Sequence, residues 1–98
     1  MITIPFTIED IKDFVEHNRY RSIVKLNNIN VIITSNTEAE QIEFTTRDNR
    51  GDETVCVVHM NEDINTLVDE LHVMLMNHLV SERYTKVDMV NDLMFVLA

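Results

Sequence analysis

A chain of 98 residues is long enough for one domain and too short for two, so we expect a single domain over residues 1–98. Its net charge of −9 argues against direct binding of DNA or RNA, because Lys and Arg make most contacts to phosphates. The single Cys excludes an internal disulfide framework, and no apolar run approaches the roughly 20 residues of a membrane span.

The N-terminus and the glycine content narrow the class of protein further. The opening MITIPFTIEDIKDF has no basic stretch ahead of an apolar one and is unlike a signal peptide, so we expect a soluble, cytoplasmic protein. One Gly in the whole chain leaves no glycine-rich loop for a nucleotide phosphate, and we expect no cofactor. Ten Asn and ten Ile beside that one Gly are typical of small phage-encoded proteins.

The first predicted element is a helix near residues 7–18. Thr7 and Asp10 form a capping-box-like pair in which Asp replaces the usual Glu or Gln, and Phe6 and Ile11 occupy the positions of a hydrophobic staple. One face of this helix is apolar. The opposite face gathers four acids, which are Glu9, Asp10, Asp13 and Glu16.

Residues 21–60 are predicted to form four antiparallel strands. RSIVKL and INVIITS flank Asn27 and Asn28, which tolerate positive φ and suit a tight hairpin. QIEFTTR alternates between apolar and polar residues, DNRGD supplies a turn, and ETVCVVHM is a more continuously apolar strand. We interpret the RGD triplet as part of that turn, with Gly51 supplying positive φ. Two successive hairpins predict a four-stranded meander.

Two more helices are predicted near residues 62–81 and 86–97. Asn61 is a suitable N-cap for the first, and Thr85 with Asp88 repeats the capping-box-like pair at the start of the second. The predicted fold class is therefore α+β, with an N-terminal helix, a four-stranded antiparallel meander and two C-terminal helices packed on the sheet.

The segment LHVMLMNHLV, residues 71–80, is apolar on every side of its predicted helix. If the stripe centred on Leu71 faces the core, other apolar residues face away from it. Large exposed apolar patches rarely persist without a use, so we expect them to bind another protein or a second copy. The alternative is that the last helix or an N-terminal strand covers them within the monomer. The predicted interface residues are Val73, Met76, Val80 and, on the last helix, Phe95.

The acids of the first helix have three interpretations. Glu9, Asp13 and Glu16 follow one another roughly 6 Å apart along the helix, a spacing similar to that of DNA phosphates, so this line can imitate one DNA strand. Their charge also suits steering toward a basic partner protein. The simplest alternative is a solvated face whose first-turn acids are stabilised by the helix dipole.

Residues that carry chemistry are sparse. His72 and His78 lie about 240° apart around a helix and cannot bind one metal from the same face, and neither an HExxH nor a CxxC motif is present. Cys56 lies in an apolar strand, where a thiol is normally inert packing. No Ser stands in a nucleophile elbow. We therefore expect no metal site, no catalytic residues and no enzyme activity.

Together these patterns predict a non-enzymatic protein–protein interaction module. It would be a small acidic regulator or inhibitor that docks on a basic partner protein through apolar helix residues, with neither nucleic acid nor membrane as a direct partner. The alternatives are a structural homo-oligomer subunit, such as a homodimer, and a DNA-mimic inhibitor of a nucleic-acid-binding protein.

Overall fold

The structure is a computed structural model that describes residues 4–18 and 21–97. It confirms the predicted α+β fold class, with an N-terminal helix, a four-stranded antiparallel sheet and two C-terminal helices. The elements in chain order are α1 (Ile8–His17), β1 (Arg21–Leu26), β2 (Ile29–Asn36), β3 (Gln41–Arg47), β4 (Glu53–His59), α2 (Ile64–Met76) and α3 (Lys86–Leu97).

The starts of α1 and α3 are fixed by the capping pairs that the sequence predicts. Asp10 N donates to Thr7 Oγ1, and Thr7 N donates back to the Asp10 carboxylate at 2.7 Å. Thr85 and Asp88 make the same reciprocal hydrogen bonds ahead of α3. Each pair satisfies backbone donors that have no partner in the first turn of a helix.

The four strands pair in sequence order, β1-β2-β3-β4, and every pairing is antiparallel. Asn27 and Asn28 both have positive φ, 49° and 68°, as a two-residue type I′ hairpin turn requires. The meander therefore leaves β1 and β4 as the two edges of the sheet.

The second helix is shorter than predicted at both ends. Asp63, not Asn61, is its N-cap and accepts a hydrogen bond from Asn65 N at 2.9 Å. The helix ends at Met76, five residues before the predicted end, and Leu79 adopts the left-handed conformation with φ 57°. Apolar periodicity continues past this point, so the end of the helix has a tertiary cause.

Burial alternates along the strands, because all three helices cover the same face of the sheet. Side chains of this face and of the helices form one core, with Ile33, Phe44, Leu71 and Leu93 fully buried. Among the residues that the structure describes, no helix packs on the opposite face. The open face and the free edges are thus the accessible parts of the sheet.

Candidate functional site

His78 explains the early end of α2, because it leaves the helix to join two polar groups of the sheet. Its Nδ1 lies 3.0 Å from Asp48 Oδ2, and its Nε2 lies 2.6 Å from Thr46 Oγ1. A carboxylate only accepts hydrogen bonds, so Nδ1 is the donor to Asp48. The order carboxylate, imidazole, hydroxyl matches that of a catalytic triad. Thr46 is completely buried, however, so its hydroxyl is out of reach of a substrate. The hydrogen bonds that join Asp48, His78 and Thr46 instead connect the segment after α2 to the sheet.

Asp48 also organises the turn that contains the RGD triplet. Its Oδ1 accepts hydrogen bonds from Arg50 N at 2.9 Å and from Asp52 N at 3.0 Å, and Gly51 has the expected positive φ of 85°. The hydrogen bond to His78, followed by these backbone hydrogen bonds, lowers the pKa of Asp48 to about 2 against the opposing effect of burial. The triplet therefore lies in a turn that is held from inside the fold.

The four predicted interface residues do not form one patch. Phe95 is 87% exposed on α3, and Val73 is 59% exposed on α2. Met76 is half-buried and packs against the core. The expectation for Val80 is wrong, because the chain turns at Leu79 and returns Val80 to the core with 9% exposure. The same turn leaves Leu79 83% exposed.

The acidic face of α1 is less uniform than the sequence pattern suggests. The Asp10 carboxylate is engaged in the capping box, and Lys12 Nζ lies 3.8 Å from Glu9. Asp10 and Asp13 form one wall of an apolar groove of about 650 Å³ between α1 and α3. Of the three acids on the predicted line, Glu9 is paired with Lys12, which weakens the argument for DNA mimicry.

A second groove, of about 430 Å³, runs between β4 and α2. Its apolar side chains come from the edge strand β4 and from α2, and its charged groups are carboxylates. Of the predicted interface residues, Val73 lines this groove. The lining residues are Val55, Cys56, Val57, Asp69, Glu70, Val73 and Met74.

The groove lies along a free edge of the sheet. Asp48 N donates to Asp52 O, and Met60 N donates to Glu40 O at 2.8 Å, so the pairs at both ends of the β3–β4 ladder are hydrogen-bonded. In an antiparallel ladder, such pairs alternate with pairs that are not hydrogen-bonded to each other. Cys56 falls in a hydrogen-bonded pair with Phe44, whereas Val55 and Val57 fall between such pairs. The N–H and C=O groups of both valines therefore point away from β3, where no described strand pairs with them.

The electrostatics of the groove are set by carboxylates. Cys56 Sγ donates to Glu70 Oε2 at 3.0 Å, and burial followed by this contact raises the pKa of the thiol to about 12. The thiol is therefore protonated at neutral pH and lacks the thiolate form that reacts. Asp69 is paired with Lys86 at 2.7 Å, while Glu70 has no cation within salt-bridge distance among the described residues.

Sequence reasoning missed this groove, but one signal pointed to it. The run TVCVV in β4 lacks the polar alternation of QIEFTTR in β3. A strand that is apolar on both faces is usually central in a sheet. The strand order places it at an edge, which is an unusual position for such a run. Only the order of the strands distinguishes the two cases.

Two further classes of site are absent from the described residues. No group of three or more His, Cys, Asp or Glu is placed to hold a metal ion within residues 4–18 and 21–97. In the same ranges, no helix has both the length and the apolar character to cross a membrane.

Comparison with known proteins assigns no relative. No family model matches the sequence, and no curated protein or solved structure is significantly similar to it.

Proposed function

We propose that this protein is a non-enzymatic protein-binding module, a small acidic regulator or inhibitor that captures an extended segment of a basic partner protein. The segment would add to the sheet as a fifth strand along β4. The observation that carries this proposal is a free, apolar strand edge beside a groove that contains carboxylates. Such strand addition is a recurring mode of peptide recognition, in which the backbone supplies affinity and the groove supplies specificity.

The backbone of β4 supports the proposal, because it is open to pairing. Val55 and Val57 direct two N–H and two C=O groups toward the free edge. Exposed edges are normally protected by charged side chains, Pro or bulges. The opposite edge strand, β1, follows this rule with Arg21 and Lys25, whereas β4 has no charged residue between Glu53 and His59. This unprotected edge has a groove next to it.

The side chains of the groove favour a partner segment that alternates apolar and basic residues. Side chains on one face of an added strand would lie beside Val55 and Val57, which offer apolar surface, and those on the other face would lie beside Glu70, which contacts Cys56. Glu70 lies within the groove, and its charge together with that of Glu62 contributes to the raised pKa of Cys56. A Lys or Arg of the partner would therefore meet unneutralised carboxylates there, and the net charge of −9 would steer it toward the protein.

The same charges disfavour a second copy on this edge. Two β4 strands paired antiparallel around Cys56 would bring Glu70 close to its own symmetry mate. Like charges that are brought together on binding oppose association. A basic segment has no such penalty, so we assign the edge to a partner of opposite charge.

Fluorescence anisotropy with a labelled peptide that alternates Val and Lys tests this proposal. We expect saturable binding that weakens with added salt, and binding weaker by roughly tenfold or more for a peptide that alternates Val and Glu. Val57→Pro removes a donor that points to the free edge but none that bonds to β3, so it should abolish peptide binding while the fold is retained.

Phe95→Ala is the matched control, because it removes an exposed apolar side chain on α3 and should leave peptide binding unchanged. Circular dichroism melts of both variants establish that they fold. Equal binding of the two peptides by the parent protein, or unchanged binding by folded Val57→Pro, would refute strand addition on β4.

A further inference from the structure

The open face of the sheet carries a row of β-branched residues that crosses all four strands. The register places Ile23 beside Ile32, Ile32 beside Thr45, and Thr45 beside Val55. Ile23 is 63% exposed, and Val55 is also well exposed. A row of β-branched side chains on the open face of a sheet is suited to packing against another sheet.

Charge on this face differs from charge on the rest of the molecule. Three basic residues and two acidic residues of the strands lie on the open face. This face is therefore close to neutral, although the protein has a net charge of −9. Repulsion between two copies is therefore weak where these faces meet. The five charged residues are Arg21, Lys25, Glu43, Arg47 and Glu53.

The pattern on the face is self-complementary, and we propose that two copies pack face to face through it around a twofold axis parallel to the strands. This symmetry places β1 of one copy over β4 of the other. Each row of residues that crosses the four strands then faces the equivalent row of the second copy. Ile23 then faces Val55 of the second copy, and Lys25 faces its Glu53, which also pairs with Arg47 in its own chain. Because the interface is twofold symmetric, each of these contacts is made twice.

The size of the face sets the strength of the dimer. Four strands at a spacing of about 4.8 Å, each about 20 Å long, give a face of roughly 400 Å² per copy. The pair buries roughly 800 Å² in total, which is below the range of specific stable complexes, about 1,200–2,000 Å². The dimer is therefore weak and forms at high protein concentration. It uses side chains of the open face, not the free backbone edge of β4, and does not depend on peptide capture.

Sedimentation velocity from micromolar to millimolar concentration tests the dimer with two charge reversals. Lys25→Glu and Glu53→Lys should each weaken dimerisation by roughly tenfold or more, because each creates two like-charge contacts across the axis. These variants change the net charge in opposite directions, so a general effect of net charge would strengthen one dimer and weaken the other. An equimolar mixture of the two should dimerise like the parent, since both contacts across the axis then pair opposite charges again.

Arg83→Glu is the matched control, because it changes the net charge as Lys25→Glu does but at an exposed position outside the sheet. It should have a smaller effect than Lys25→Glu. A parent protein that stays monomeric throughout the concentration range, or a mixture that dimerises no better than either variant alone, would overturn the proposal. Peptide binding measured on the same variants distinguishes this failure from failure of strand addition.

Discussion

His78 shows how one residue can override a local pattern. Apolar periodicity extends the second helix to residue 81, yet the chain leaves the helix at Met76 and His78 bonds to Thr46 and Asp48. The structure buries His78 and gives both of its ring nitrogens a hydrogen-bond partner. Its partners lie 32 and 30 residues away in the chain, so no local signal could identify them.

The hydrogen-bonded cluster of Thr46, Asp48 and His78 can be tested through the acid dependence of protein stability. The folded-state pKa of Asp48 is about 2, below the ordinary value of 3.8, so the unfolded state binds more protons between these values. The stabilisation from Asp48 is complete above about pH 4 and is lost as the pH falls toward 2. We expect Asp48→Asn to unfold at a lower urea concentration than the parent at pH 6, with a difference that shrinks toward pH 2.

Asp88→Asn provides a comparison, because the hydrogen bonds from Thr85 also lower the pKa of Asp88. Combining the two substitutions should flatten the acid dependence of stability further than either does alone. If Asp48→Asn loses stability with acid as steeply as the parent does, the cluster has no part in the pH dependence.

At the level of elements, α3 shows which local predictions hold. Its bounds match the predicted residues 86–97, because Thr85 and Asp88 fix the start through contacts within four residues of sequence. The β1–β2 hairpin was predictable for the same reason, since the two Asn residues determine the turn. The edge position of β4 depends on the order of all four strands, and the groove between β4 and α2 depends on tertiary packing. Neither has a local signature.

The two faces of α3 should respond differently to truncation. Phe95 is almost fully exposed, so Phe95→Ala should change the free energy of unfolding by about 0.5 kcal/mol or less. Leu93 is fully buried in the same helix, and Leu93→Ala should cost roughly 2–5 kcal/mol. Urea denaturation of the two variants measures the difference. A loss for Phe95→Ala as large as that for Leu93→Ala would mean that Phe95 is buried by a contact within the folded chain.

For the molecule as a whole, net charge determines the expected behaviour toward nucleic acid. Binding to phosphates requires clustered Lys and Arg, and the protein has eight such residues against 17 acids. We expect no electrophoretic shift of duplex DNA or of RNA at micromolar protein and physiological salt. A shift that disappears when salt is added would show a basic surface strong enough to overcome the net charge, and would contradict this prediction.

The strand order β1-β2-β3-β4 also has a consequence for how the chain folds. Each strand pairs with its neighbour in sequence, so closing each hairpin orders only a short loop and has a low entropic cost. The contact between α1 and α3 joins opposite ends of the chain and closes the longest loop in the fold. Contact order is thus low within the sheet and high between these helices. A folding nucleus built from the hairpins is favoured on entropic grounds, and the docking of α1 against α3 belongs to a later stage.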